Sequence, residues 1–298
     1  MLESIPSIKK RLLDALPIDM QSSIRKRRKE VDYLRYLTWK ARLRLKDATL
    51  KKPIFMIGCP RSGTTLAVKL FDKHSDVTDW SEAGHIWDPY NYYDAEADHQ
   101  WGVDKITEKD RKRLHSVFEH YRQINGKERF INKHPRNSIR LDYIEAIFPD
   151  AYYIHVIRDG RAVVNSIIDN IEKRPERQGF PYGNFCKPPN WREYLNEDIV
   201  TQSAHQWDEI VKYILDRKDS LGNRYIEIKY EDLCVNTRDT YKALYDFVGM
   251  STAADELQKI PEQLSSMNYK FLEKFTPEQL KTIVSIQGDL LKKLGYID

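Results

Sequence analysis

Short apolar runs alternate along this chain with segments in which apolar residues recur every three to four positions. The first run occupies 54–57 and is followed, after a glycine, by helical spacing over 66–71. Strand-like runs at 152–157 and 224–229 are followed by segments of the same helical kind. Short continuous apolar runs are typical of buried parallel strands, whereas a recurrence of three to four predicts helices. The pattern therefore predicts an α/β fold in which helices flank a mainly parallel β-sheet.

The same pattern places the remaining elements. A short strand is expected at 130–132, and Thr107 is expected to cap a helix that ends at 124. The segment 174–198 is rich in proline, glycine and aromatic residues, so it is predicted to be a long loop of the kind that forms lids or binding loops. Further helices are predicted from Asn137 to Pro149, over 162–171, 200–218 and 237–248, and through a C-terminal quarter that ends near Gly295.

The length of the chain, 298 residues, suits one large domain, which we place at 51–298, after a basic helical arm at 1–50. The arm carries 13 Lys and Arg residues against 6 Asp and Glu residues, so the remainder of this chain of net charge +4 is slightly acidic. A basic surface confined to one arm argues against a nucleic acid partner. The arm is expected either to pack on the domain or to make peripheral contact with an acidic membrane surface.

Hydropathy and cysteine content indicate a cytoplasmic protein. No run of about 18 apolar residues is present, and the N-terminus lacks the apolar core of a signal peptide. The three cysteines, Cys59, Cys186 and Cys234, are scattered, a spacing that predicts neither a disulfide framework nor a metal cluster. We therefore expect a soluble chain in a reducing compartment, with no bound metal.

The turn after the first strand has the spacing of a phosphate-binding loop. Gly58 and Gly63 are separated by four residues, and Thr64 and Thr65 follow. Backbone N–H groups at such a helix N-terminus bind phosphate. Thr64 occupies the position at which kinases and ATPases keep a lysine for the transferred phosphate, and the only cation in the loop is Arg61. The loop therefore indicates a different leaving group, although a P-loop kinase and a simple glycine turn stay open.

Polar residues follow four of the predicted strands. They lie at 58–65, 132–134, 158–161 and 229–232. In a parallel sheet the carboxyl ends of the strands meet at one edge, and ligands bind in the crevice outside that edge. We therefore expect these four clusters to converge on one ligand site.

Two of these clusters together resemble a known enzyme family. The segment from Cys59 to Thr65, taken with Arg158 and the residues 159–161 after it, and with Ser166 eight positions beyond Arg158, is similar to sulfotransferases that use 3′-phosphoadenosine-5′-phosphosulfate (PAPS). The resemblance runs from about residue 53 to the end of the chain. The cytosolic branch of that family usually has lysine in the loop. An arginine there resembles the branch that contains tyrosylprotein sulfotransferases and many bacterial enzymes.

The resemblance implies PAPS as the donor, 3′,5′-adenosine bisphosphate (PAP) as the product and no metal. Arg158 and Ser166 are implied to bind the 3′-phosphate, Tyr230 to line the nucleotide site and Lys270 to meet a phosphate. Two of these have a structural alternative, because Arg158 could form an ion pair with Asp159 and Tyr230 could be a core residue. The loop residues implied to hold the 5′-phosphosulfate are Arg61, Ser62, Gly63, Thr64 and Thr65.

The family resemblance also implies the catalytic residues. Glu82 lies 21 positions after Arg61, where the tyrosylprotein branch has its base, and His85 is a reserve candidate. Partial burial would raise the pKa of such a carboxyl toward the working pH. Lys133 matches the family lysine that stabilises the transferring group, and Arg61 would share that role. The alternative for Glu82 is an exposed loop acid or a helix-cap partner.

The acceptor is not fixed by these motifs. Residues 87–101 and 174–198 are rich in aromatic side chains, which suit sugar rings, phenols and lipid chains alike. A tyrosine acceptor usually lies in acidic sequence and would need a basic groove, so the slightly acidic domain argues against it. We favour a bacterial enzyme that sulfates a hydroxyl of a small molecule, sugar or lipid. Tyrosylprotein sulfotransferase-like activity on a peptide is one alternative, and a non-catalytic module that only binds the nucleotide is another.

Overall fold

A computed structural model describes residues 46–89, 94–174 and 181–298 of the chain. The predicted basic arm lies outside the described residues except for 46–50, so its helix and its membrane contact stay predictions. Leu50 is buried in the core. The described chain therefore joins the domain just before the first strand.

Five parallel strands form the central sheet of the described residues. They are β1 (Ile54–Ile57), β2 (Val77–Asp79), β3 (Arg129–Lys133), β4 (Tyr152–Ile157) and β5 (Tyr225–Lys229). Their order across the sheet is β2-β3-β1-β4-β5. The central strand β1 places Phe55 opposite Asn132 on β3 and Ile57 opposite His155 on β4. The predicted α/β class with a parallel sheet is confirmed.

The side chains of β1 alternate between two hydrophobic cores. Phe55 and Ile57 lie in the larger core, whereas Ile54 and Met56 lie in a second core on the other face of the sheet. Successive residues of a strand point to opposite faces, so a sheet that is buried on both sides needs apolar residues at every position. This is why the strands are continuous apolar runs in the sequence.

Helices cover both faces of the sheet. They are α1 (Thr64–Phe71), α2 (Gly84–Trp87), α3 (Glu108–Ile124), α4 (Leu141–Ile147), α5 (Gly160–Glu172), α6 (Ile199–Leu215), α7 (Lys218–Leu221), α8 (Tyr230–Val235), α9 (Thr237–Phe247), α10 (Ala254–Leu257), α11 (Lys270–Lys274) and α12 (Pro277–Lys293). Short 3₁₀ turns lie at Pro135–Ile139, Pro181–Asn184 and Trp191–Tyr194. The predicted loop 174–198 therefore contains two local helical turns in its described part.

Most predicted helices are present, with two differences. Thr107 caps α3, as expected, by accepting a hydrogen bond from Asp110 N. The single helix predicted from Asn137 is wrong in its first turn, because Arg140 has φ −129° and separates a 3₁₀ turn from α4. The helix predicted over 200–218 ends at Leu215, and the next helical turn is the separate α7.

The strand β2 has no counterpart among the sequence predictions. It is only three residues long, and just one of them, Val77, is a buried apolar residue. A strand this short produces no apolar run, so it forms because β3 offers it a partner rather than because of its own pattern. Its C-terminal end leads directly to the segment that contains Glu82.

The strand order explains where a ligand site forms. The chain passes from β1 outward to β2, returns through β3, and then crosses to β4 on the other side of β1. Such a reversal opens a crevice at the carboxyl ends of the strands, beside the central one. The four polar clusters that the sequence analysis singled out lie at the carboxyl ends of β1, β3, β4 and β5.

The turn after β1 depends on a close approach that only glycine allows. A Cβ atom on Gly58, whose φ is +147°, would lie 2.4 Å from Val156 O in β4. We expect Gly58→Ala to lower the free energy of unfolding by on the order of 3 kcal/mol, because a backbone atom must move. Thermal or urea unfolding measures this loss.

The matched control is Gly249→Ala. Gly249 also has a positive φ, +69°, but a Cβ there meets no atom within 4 Å. In Gly249→Ala the free energy of unfolding should fall only by the cost of placing a side chain on a left-handed backbone, about 1 kcal/mol. Equal losses in the two variants would contradict the claim that packing against β4 constrains the loop.

Candidate active site

The loop between β1 and α1 is held by two reciprocal hydrogen bonds. Gly58 N donates to Ser138 Oγ at 2.9 Å, and the same hydroxyl donates to Gly58 O at 2.8 Å. The loop then turns so that Gly63, at φ +95°, becomes the residue before α1, and no side chain caps that helix. The first N–H groups of an uncapped helix have no intrahelical partner. This N-terminus is therefore suited to an anion.

Side chains in the loop supply further donors. Ser62 Oγ is buried and has no hydrogen-bond partner in the part of the chain that the structure describes. An unpaired buried hydroxyl costs free energy that a ligand oxygen would recover. Thr64 is buried at the first position of α1 and Thr65 is exposed beside it. The loop therefore has the composition and the free hydrogen-bonding capacity that a phosphate or sulfate group requires.

Glu82 and Lys133 form an ion pair at the edge of the sheet. Lys133 is the last residue of β3 and is 3% exposed, and its Nζ lies 2.7 Å from Glu82 Oε1. The backbone supports the same contact, since Glu82 N donates to Lys133 O at 2.7 Å. The Glu82 side chain keeps 52% exposure. A half-exposed carboxylate on a buried ammonium can meet a substrate while its position stays fixed.

Arg61 contacts residues that the sequence analysis assigned to the other end of the nucleotide. Its Nε donates to Ser166 Oγ on α5 at 3.1 Å, and its carbonyl oxygen accepts from Arg158 Nη1 at 3.1 Å. Desolvation and the neighbouring Arg158 charge lower the pKa of the Arg61 guanidinium. Arg61 therefore links the loop to Ser166 and Arg158, the two residues expected to bind the 3′-phosphate.

Arg158 follows β4 and is buried. Its guanidinium carbon lies 4.6 Å from the centre of the Tyr230 ring, and its Nε donates to Asn268 Oδ1 at 2.7 Å. Asp159 does not pair with it, because both carboxylate oxygens of Asp159 accept from Arg161, the closer contact being 2.7 Å. The alternative of a local ion pair between Arg158 and Asp159 is therefore wrong. Desolvation lowers the pKa of Arg158 as well.

Tyr230 contacts both the loop at 58–65 and Arg158 in the cluster at 158–161. A Cβ atom on Gly63 would lie 2.5 Å from Tyr230 Cδ2, so the ring packs directly on the loop backbone. The same ring contacts Arg158 on its face. Burial raises the pKa of the Tyr230 hydroxyl. Tyr230 is thus a packed residue that contacts two of the predicted ligand-binding segments, and its role in lining the nucleotide site stays a prediction.

Two predicted residues stand apart from this cluster. Lys270 begins α11, is exposed, and makes no described contact with the other site residues. His85 is buried on α2, with its ring 6.3 Å from the ring of Trp80. The two aromatic-rich segments that the sequence analysis considered for the acceptor contact one another, since Trp191 Nε1 donates to Asp98 Oδ1 at 2.8 Å. Residues 90–93 and 175–180 of those segments lie outside the described residues.

Sequence reasoning missed three residues that organise the site. Ser138 locks Gly58, as described above, while Asn268 and Glu231 form a hydrogen-bonded chain that ends on Arg158. Glu231 directly follows Tyr230 and lies in the polar cluster 229–232 that the sequence analysis singled out, so its position was a usable signal. Asn268 lies 110 residues from Arg158, and no spacing rule links the two.

Comparison with known proteins identifies the family. The model of the "Sulfotransferase family" matches residues 53–254, which is more than half of the chain. This chain belongs to the sulfotransferase family. The resemblance drawn from the loop and from the segment around Arg158 is confirmed.

The chain is similar to proteins with different acceptors. It is 24% identical over 279 residues to protein-tyrosine sulfotransferase A of Caenorhabditis elegans, covering 82% of this chain and 67% of that protein. It is 24% identical over 187 residues to omega-hydroxy-beta-dihydromenaquinone-9 sulfotransferase Stf3 of Mycobacterium tuberculosis, covering 61% of this chain and 45% of that protein. The chain spans about two thirds of the length of several curated relatives that it matches.

The fold is likewise shared with solved sulfotransferase structures. One is mouse sulfotransferase SULT7A1 complexed with PAP, with a TM-score of 0.50 and 14% sequence identity, covering 84% of this chain and 90% of that chain. Identity this low supports the fold alone. Over the described ranges, no group of three or more His, Cys, Asp and Glu side chains could hold a metal ion, and no helix is long and apolar enough to cross a membrane.

Asp79 lies at the end of β2, close to the pair formed by Glu82 and Lys133. Burial raises its pKa to about 6, and the charge of Asp72 adds to this, while the Ser81 hydroxyl and Lys133 oppose it. The folded protein therefore holds a proton on Asp79 in the range from about pH 4 to pH 6, where the unfolded chain has released it. Stability attributable to Asp79 falls as the pH rises through that range.

We expect Asp79→Asn to stabilise the protein at pH 7.5 and not at pH 4. The asparagine keeps an acceptor for Ser81 Oγ, which donates to Asp79 Oδ1 at 2.6 Å, and it removes the cost of burying a charge. A gain of on the order of 1–2 kcal/mol corresponds to a rise in Tm of about 2–5 °C. Thermal melts at both pH values, with the exposed Asp104→Asn as control, measure it. A gain that is the same at both pH values would show that the Asp79 carboxyl is not the cause.

Proposed function

We propose that this chain transfers a sulfuryl group from PAPS to the hydroxyl of an acceptor. One observation carries the proposal: the Glu82–Lys133 ion pair of 2.7 Å stands at the same sheet edge as an uncapped phosphate-binding loop and a separate buried arginine, Arg158. A donor with one phosphosulfate and one further phosphate needs two anion sites. An acceptor hydroxyl needs a base beside the first of them.

The residues around the crevice fit such a donor. The N-terminus of α1, with Ser62 Oγ and the hydroxyls of Thr64 and Thr65, would hold the 5′-phosphosulfate. Arg158 and Ser166 would bind the 3′-phosphate, as the family resemblance implies. Besides burial, the charge of Arg158 lowers the pKa of the Arg61 guanidinium, and an anion bound near both residues would offset that repulsion.

The reaction requires a base and charge stabilisation from the protein. As the acceptor oxygen bonds to sulfur, the bond between sulfur and the bridging phosphate oxygen breaks, PAP leaves, and the hydroxyl proton passes to the Glu82 carboxylate. Lys133 would stabilise the negative charge on the transferring group from its buried position at the end of β3. Sulfuryl transfer resembles phosphoryl transfer in needing mainly positioning and electrostatic stabilisation.

In this scheme the Arg61 side chain would also act at the phosphosulfate. Its Nε donates a hydrogen bond to Ser166 Oγ at 3.1 Å. A 3′-phosphate that takes the Ser166 hydroxyl would release the Arg61 side chain toward the phosphosulfate, where its charge would offset that of the bridging oxygen.

For the acceptor we propose a hydroxyl on a small molecule, a sugar or a lipid. The name of the Mycobacterium tuberculosis relative, which specifies a hydroxylated menaquinone, supports this class. The Caenorhabditis elegans relative is named for protein tyrosine, so a tyrosyl peptide is the second candidate. A screen with PAPS that compares a phenol, a sugar alcohol, a long-chain alcohol and a tyrosine peptide flanked by acidic residues separates the two.

Calorimetric titration without added metal tests the donor. We expect PAP to bind at least about 100-fold more tightly than ATP, because the second phosphate of PAP meets its own arginine. Tighter binding of ATP, or binding that depends on magnesium, would instead support a P-loop kinase.

Glu82→Gln tests the base. We expect turnover to fall by about 10²- to 10⁴-fold while PAP affinity changes less than about 3-fold, because the amide keeps the size of the side chain but cannot accept the proton. Asp142→Asn is the matched control, since Asp142 forms a partly exposed pair with Arg217 at 3.0 Å outside the site. Full turnover of Glu82→Gln would favour His85 as the base, whereas PAP binding without any turnover in the unmodified chain would favour a module that only binds the nucleotide.

A further inference from the structure

The hydrogen bonds of Arg158 leave one edge of its guanidinium open. Its Nε donates to Asn268 Oδ1 at 2.7 Å, and its Nη1 donates to Arg61 O at 3.1 Å. Within the described ranges Nη2 has no hydrogen-bond partner, and no carboxylate forms an ion pair with Arg158. A buried guanidinium with neutral partners on one side retains its full charge for a ligand on the other.

The orientation of Asn268 is fixed by its two charged neighbours. Its amide oxygen accepts from Arg158, and its Nδ2 donates to Glu231 Oε1. The flipped amide would place N–H groups against the guanidinium and an oxygen against the carboxylate, and both contacts would be repulsive. Asn268 therefore connects the cation to the anion through a single neutral group.

Glu231 is in turn held from three sides. Besides Asn268, its Oε1 accepts from Asp159 N at 3.1 Å, and its Oε2 accepts from Tyr296 OH at 2.9 Å. These partners come from the start of α5 and from the segment after α12. The carboxylate of Glu231 is thus fixed in place, yet it never touches the guanidinium of Arg158.

This separation has a physical consequence for anion binding. A carboxylate in direct contact with Arg158 would form a bidentate pair and compete with a phosphate for the same N–H groups. The intervening Asn268 lets Glu231 orient the arginine without neutralising it. The Nη2 edge then presents two N–H groups in a fixed direction, the geometry that favours a phosphate oxygen.

We propose that Asn268 and Glu231 are positioning residues that aim Arg158 at the 3′-phosphate and so make the site selective for 3′-phosphorylated nucleotides. The inference rests on the proposed function, because PAPS is the donor that carries this phosphate. The role that we assign to them does not require contact with the nucleotide. Both act through the Nε bond of Arg158.

The test compares PAP with adenosine 5′-monophosphate, which lacks the 3′-phosphate, by calorimetry on the full chain. Asn268→Asp places a carboxylate on Arg158 Nε. We expect its PAP affinity to fall by about 10- to 100-fold, while its affinity for adenosine 5′-monophosphate changes less than about 3-fold. In steady-state assays the KM for PAPS should rise by a similar factor, with kcat within about 3-fold of the unmodified chain.

Glu231 is tested by a pair of variants. Glu231→Gln retains an acceptor for Asn268 Nδ2, so its PAP affinity should fall by less than about 5-fold, whereas Glu231→Ala releases the asparagine and should lose about 10-fold or more. Glu262→Gln is the control. Glu262 lies shortly before Asn268 in the sequence but pairs with Arg238 at 2.9 Å. The affinity of this variant for both nucleotides should therefore be unchanged.

The outcomes separate this inference from the proposed function. If the unmodified chain binds PAP no better than adenosine 5′-monophosphate, the donor assignment is wrong and the inference fails with it. If the unmodified chain prefers PAP but Asn268→Asp weakens both nucleotides equally, or neither, the positioning role is wrong while the proposed function stands. Thermal melts confirm folding, and Asn268→Ala, expected to lose PAP affinity by about 5-fold, replaces the aspartate if that variant does not fold.

Discussion

The contact between the turn after β1 and the backbone of β4 constrains the whole site. Gly58 approaches Val156 O so closely that no side chain fits, and Ser138 fixes the glycine from the side of β3 through both its N–H and its carbonyl. The loop can therefore leave the sheet in one direction only. That direction starts α1 at the carboxyl end of β1, so the positive end of the helix and the ends of the neighbouring strands face the same volume. Every contact that we ascribe to the donor follows from this placement.

Charge is distributed unequally across the crevice. On the side of α5, Arg61 and Arg158 lie together, and no carboxylate among the residues that the structure describes contacts either, since Asp159 pairs with Arg161 and Asn268 separates Glu231 from Arg158. On the side of β3, by contrast, the cation and the carboxylate touch. The side of α5 therefore carries positive charge that a bound anion would balance. The ion pair on the side of β3 is neutral and can exchange a proton. A transfer enzyme needs this division, because the donor is held by unpaired positive charge while the acceptor meets a base.

The sequence was sufficient for four of the five described strands, for the loop and for the family, because each depends on local pattern. It was insufficient where the deciding contact is distant. Arg140 interrupts a helix that its neighbours favour, since its guanidinium lies 3.4 Å from the centre of the Trp101 ring and its Nε bonds to His99 O at 2.7 Å. The bond between Arg61 and Ser166 depends on a side-chain rotamer, which residue spacing does not specify. Likewise β2 forms through its neighbour and not through its own composition.

Backbone conformation adds an independent argument about the same residues. Arg61 has φ +74° and Glu82 has φ +52°, the left-handed region that side chains other than glycine enter at a cost of about 1 kcal/mol or more. Glycine at either position would relieve that cost, but it would remove the guanidinium or the carboxylate. In each case hydrogen bonds compensate: Arg158 holds the Arg61 carbonyl, and Lys133 holds both the backbone and the side chain of Glu82. The two positions of the crevice where the chain keeps a charged side chain in a strained conformation are those at which sulfuryl transfer would need one.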